Sequence, residues 1–193
     1  KITNERKANY DKEVAAVSKR TKSALAARTQ AQAALDELLA NRKDGKEPEG
    51  AELARFRVEV AESRVESLQS ITEGIQSLSQ LENISVIAFK DRALLLQSKV
   101  PDERSKALDG LNVLSDRLKA WLNGVDNDMT TCGADLSKLE SRAASITSED
   151  PRFALVNEQR AATTEMFATL QRNSQAVESQ RKVIRRWIAD HTP

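Results

Sequence analysis

The chain has 193 residues and a formal net charge of +1, with thirty basic side chains against twenty-nine acidic ones, so it lacks the basic excess of an electrostatic nucleic-acid binder. Ala, Leu, Ser, Glu, Arg, Lys and Gln dominate while six glycines and four prolines are spread thinly, which favours helix over strand and allows a sizeable core. A single cysteine excludes an intrachain disulfide and fits a reducing compartment, weakly favouring a cytoplasmic location, and no run of about 18 apolar residues offers a membrane span.

No signal peptide is visible, and the opening on Lys1 reads as an excised or processed piece. Residues 4–40 are expected to form a first helix capped by Thr3 or Asn4. Its stripe is Tyr10, Val14, Val17, Thr21, Ala24, Ala31, Leu35 and Leu38. Alanines crowd its middle, so a neighbouring helix can approach closely there, and Arg28 on the extrapolated seam is expected to snorkel outward. Residues 41–50 carry two glycines, a proline and alternating charge, and read as a reversing loop.

A second helix is expected over 51–98, with Ala54, Val58, Ala61, Val65, Leu68, Ile71, Ile75, Leu78 and Leu81 on one stripe. Gly74 is expected to weaken it by up to about 1 kcal/mol relative to Ala. Beyond Asn83 the pattern changes. Ile84, Val86, Ile87, Phe89 and Leu94–Leu96 cover more than one face, which predicts either burial from two sides or an exposed apolar patch.

Val100-Pro101-Asp102-Glu103 reads as a stop followed by a start, because proline suits the first helical position and acids suit the positive end of the dipole. The third helix, 102–147, carries the most regular stripe, from Leu111, Leu114 and Leu118 through Trp121, Val125, Met129 and Cys132 to Leu136, Leu139, Ala143 and Ile146. At this length it would run roughly 65–70 Å. Ser148-Glu149-Asp150-Pro151 repeats the starting chemistry, and a fourth helix is expected over 152–189 with the least apolar seam.

Breaks near 45, 100 and 150 leave four comparable segments. They predict an all-α, elongated, antiparallel up-down-up-down four-helix bundle, coiled-coil-like, in one domain spanning 1–193. Leu118-Lys119-Ala120-Trp121-Leu122 resembles the tryptophan-bearing first helix of a spectrin repeat. That resemblance implies the competing architecture, two three-helix repeats joined by a long shared helix.

Catalytic constellations are missing from the sequence. His191 is the one histidine, which excludes a Ser-His-Asp triad built on an internal histidine and a Cys/His zinc site. No glycine loop for phosphate occurs, so no cofactor, metal or small-molecule substrate is expected. Carboxylates are expected on solvated faces, Cys132 as a small buried hydrophobe, and the sequon Asn83-Ile84-Ser85 as chance within a helix.

In an up-down bundle, residues 1–20, 85–117 and 178–193 share one end and together hold sixteen basic and ten acidic side chains, predicting a positive end and a negative remainder. Phe89, Leu94, Leu95, Leu96, Arg181, Lys182, Arg185, Arg186 and Trp187 are therefore the candidate contact residues. Cations beside apolar side chains suit an acidic protein partner or an anionic membrane surface. The sequence points to a non-catalytic helical interaction module that engages protein partners or a second copy of itself. Alternatives are an extracytoplasmic four-helix sensor domain of a bacterial chemoreceptor or histidine kinase, and a BAR-like or toxin-like membrane-surface binder.

Overall fold

The computed structural model describes residues 2–42 and 46–191. They form α1 (Ile2–Ala40), α2 (Ala51–Gln97), α3 (Pro101–Ala144) and α4 (Pro151–Ala189), with no strand among the described residues. The fold is an antiparallel up-down-up-down four-helix bundle. Residues 98–100 break the chain between α2 and α3, so no helix is shared between two three-helix repeats. Lys1 of the expected basic end, and Lys43, Asp44 and Gly45 of the expected loop, lie outside the described residues.

The starts of α3 and α4 follow the chemistry of the sequence, whereas α1 is already helical at Ile2, so Thr3 and Asn4 lie inside it and do not cap it. The backbone N–H of Arg152 donates to Asp150 Oδ1 at 2.8 Å, capping α4 one residue before its proline. The Arg152 guanidinium also grips Asp150, and the side-chain bonds ahead of the backbone bond hold that carboxyl below the usual carboxylate range. Before α3, the N–H of Val100 donates to Ser98 Oγ at 3.1 Å, and that hydroxyl donates to Glu103 at 2.6 Å. Gly50 enters α2 at φ +86°, a left-handed conformation that only glycine adopts without strain, and its carbonyl accepts from Ala54. The third helix stops at Ala144, short of the expected 147. Ser145 N–H divides between the carbonyls of Ser141 and Arg142, tightening the last turn, and Ile146 packs on the core from outside the helix.

Contacts gather the chain into two compact units, each drawing on all four helices. The first comprises Lys1–Lys12, Gly74–Thr130 and Thr169–Pro193. Its core takes Leu81, Ala88 and Leu95 from α2, Ala107, Leu111, Leu114 and Leu118 from α3, and Val177, Ile184 and Trp187 from α4. Among the described residues α1 supplies no member of this core. Instead α1 is tied to the outside of the unit by polar bonds. Arg6 donates to Glu82 at 3.3 Å, Lys7 donates to Asn83, and Arg172 stacks over Tyr10 at 5.4 Å.

The second unit comprises Glu13–Glu73 and Thr131–Ala168. Its core includes Phe56 and Val60 of α2, Leu139 and Ala143 of α3, and Val156 of α4. Val17, Ala24 and Leu35 of α1 are buried, and Arg28 is exposed as expected. Arg20 forks both guanidinium nitrogens onto the two oxygens of Glu165 at 2.6 Å, and this hydrogen bonding, ahead of simple charge attraction, lowers the Glu165 pKa. A cavity of about 360 Å³ lies among Ser63, Ser67, Gln159 and Thr163. Two cations lining it are engaged by neighbouring carboxylates, Lys138 by Asp135 at 2.8 Å and Arg142 by Glu59 at 3.0 Å.

Candidate interaction surface

The change of pattern beyond Asn83 produces an exposed apolar surface in the first unit. Ala88 and Leu95, seven residues apart, face the core completely. Neighbouring positions therefore fall on the helix flanks and cannot share that burial. Phe89 is 57 % exposed, Leu94 44 % and Leu96 60 %, with Val86 and Ile87 also open to solvent. Leucines placed 100° apart on a helix packed on one side leave some of their number outside.

Two candidate contact residues need correcting. Leu95 is buried in the core of the first unit, because its heptad relation to Ala88 and Leu81 turns it inward. Trp187 is likewise buried: its ring is covered by Phe89, with ring centroids 5.1 Å apart, and by the Arg92 guanidinium at 4.6 Å. The pair is an aromatic contact capped by a cation, worth on the order of 1 kcal/mol beyond its area. Trp187 thus supports Phe89 from beneath. Arg92 was not singled out by its sequence position; its spacing of three from Phe89 is the signal that places the two on adjoining turns.

The basic candidates are placed as follows. Lys182, Arg185 and Arg186 are exposed, and Lys182 reaches back one turn to Glu178 at 2.8 Å. Arg181 is half-buried, with its Nε enclosed and unbonded. The first unit holds sixteen basic and twelve acidic side chains against fourteen and seventeen in the second.

The carboxylates also need a correction, since two of them reach the interior. Glu82 is buried where it accepts from Arg6. Asp91 is partly buried against α3: a Cβ on Gly110 would lie 2.7 Å from its Oδ2, so the missing side chain makes its berth. Burial pushes the Asp91 carboxyl up from its ordinary pKa. Its position three residues after Ala88 could have shown this in the sequence.

Cys132 is buried as expected, with its thiol donating to the Thr163 carbonyl at 3.6 Å. Burial first, and the nearby Asp135 second, push its pKa up, which is the opposite of what a nucleophile needs. Among the described residues no group of three His, Cys, Asp or Glu side chains is placed to hold a metal, and no helix is long and apolar enough to cross a membrane. No family model matches the chain, and no curated protein or solved structure matches it at a significant level.

Proposed function

We propose that the chain is a non-catalytic helical module that docks protein partners through the Phe89–Leu96 surface of its first unit. The observation that carries this reading is the exposure of Phe89, Leu94 and Leu96 on a helix whose opposite face is fully packed. Helix packing is taken by the Ala88–Leu95 face, so Phe89 and Leu96, seven residues apart, remain exposed on one flank and Leu94 on the other, one turn from exposed Lys90. Apolar centres with aromatic and arginine members are what protein interfaces concentrate.

Photocrosslinking tests it. A benzophenone amino acid at Leu96, compared with the same group at Arg28, should give a discrete adduct with another protein in the cells that make the chain. The purified partner should then bind the native chain, with affinity reduced about tenfold or more by Phe89→Asp. Adducts to lipid alone, or an adduct no different from that at Arg28, would remove the reading.

A further inference from the structure

We propose that the cavity of the second unit is a binding site for a small aliphatic amine, held by its ammonium head. This cavity, of about 360 Å³, is built from α2, α3 and α4 within that unit alone. Spaces of this size between helices are at the small end of ligand-binding cavities. Its occupant is argued from packing, from unpaired oxygens and from charge.

Packing leaves the room. Along α2, Ser63, Ser67 and Ser70 line the cavity at steps of four and three, where larger apolar side chains would have filled the space between helices. Leu139 of α3 and Met166 of α4 complete part of the wall, and that part suits a hydrocarbon stem.

The polar part of the wall holds oxygens short of donors. Ser67 is 4 % exposed, yet its hydroxyl makes no hydrogen bond among the described residues. Thr72, Ser85 and Thr163 behave differently, each donating back to the carbonyl four residues earlier. Thr163 is as deeply buried as Ser67 but fully engaged: its hydroxyl bonds the Gln159 carbonyl at 3.0 Å, and its own carbonyl accepts from the Cys132 thiol at 3.6 Å. Gln159, another lining residue, keeps its side-chain Oε1 closed from solvent and unbonded. Enclosed acceptors without a donor cost free energy, and an ammonium supplies three donors and no acceptor.

Charge selects the sign. The lining carries Glu59, Glu66 and Asp135 against Lys138 and Arg142. Arg142 is engaged twice, with its edge on Glu59 at 3.0 Å and its face over the Phe56 ring at 4.2 Å. Lys138 is held by Asp135 at 2.8 Å. Once these pairs cancel, exposed Glu66 leaves the lining negative, one helical turn from both Ser63 and Ser70. An anion would be repelled there, and a neutral molecule would gain nothing from the carboxylate.

Butylamine, butanol and butyrate share one hydrocarbon stem and differ in the head. Each is titrated into the 193-residue chain at about pH 7, where the amine is protonated, and backbone amide chemical shifts are followed. Butylamine alone should give saturable shifts, confined to residues 63–70, 135–142 and 159–166. Ser67→Val should weaken it about tenfold and Glu66→Gln about threefold. Glu37→Gln, which removes an exposed carboxylate outside the lining, should leave it unchanged. Unchanged circular dichroism confirms that the variants fold, and exposed Glu66 keeps the test open should Ser67→Val fail to do so.

Butanol binding as tightly as butylamine, any saturable binding of butyrate, or binding of none of the three would overturn the assignment. So would butylamine binding that is indifferent to Glu66→Gln, or shifts that map outside the three lining segments.

Discussion

Single side chains in this molecule are governed by what covers them. The Cys132 thiol sits in the core against Thr163, and its raised pKa leaves little thiolate at neutral pH. Its reaction with a disulfide reagent is expected to be slower than that of the unfolded chain by several orders of magnitude and limited by local opening. A rapid stopped-flow reaction on the folded protein would contradict this placement. Asp91 makes a pH-dependent contribution of defined sign. Its folded pKa lies above its unfolded value, so the stabilisation belongs to the protonated form. That stabilisation is complete below the ordinary carboxylate pKa and is lost as pH rises through the raised one. Asp91→Asn should therefore raise the melting temperature at pH 7 and change it little at pH 3.

Helices show how far a stripe of residues predicts its own surroundings. Most of the α3 stripe was legible: Leu111, Leu114, Leu118, Val125, Cys132, Leu139 and Ala143 are buried, because leucines at regular spacing leave one way to hide them, while Trp121, Met129 and Leu136 of the same stripe are half-buried and Ile146 lies past the helix end. The starts of α3 and α4 were legible because proline and an acid have few other roles together. Less legible was the surface beyond Asn83, where the pattern permitted either double burial or exposure. What decides it is that α2 packs there through Ala88 and Leu95 onto a core shared with α3 and α4, and no local pattern in α2 encodes which of its faces those helices take. Gly74 is a similar case. Its propensity alone makes it a weakness, yet a Cβ there would lie 2.8 Å from Thr169 Cγ2 and 3.1 Å from Asn173 Nδ2, so α4 approaches closely because the side chain is missing. Around Gly124 a Cβ would meet nothing within 4 Å. Gly124→Ala should therefore stabilise by about 0.5–1 kcal/mol, and Gly74→Ala should destabilise by about 1–3 kcal/mol despite the same gain in helix propensity. Denaturant titration of the two variants separates these opposite signs.

For the molecule as a whole, the connectivity matters most. Neither compact unit is a contiguous stretch of chain, since each of the four helices contributes residues to both. Melting one unit would leave the other with helices whose continuations are unfolded. A single thermal transition in the helical signal is expected. Leu118→Ala, at a fully buried position in the first unit, should lower that one transition with a loss of about 2–5 kcal/mol. Two resolved transitions, with only one moved by the substitution, would show that the units unfold separately.

The cover over Trp187 has a practical consequence. The chain has two tryptophans, so Trp121→Phe leaves Trp187 as its sole indole fluorophore. That ring sits beneath Phe89 and Arg92, and its emission becomes an intrinsic optical gauge of whatever lies on them. Phe89→Ala should redden the emission by admitting water, and an arriving ligand that seals Phe89 should shift it toward the blue without any attached dye.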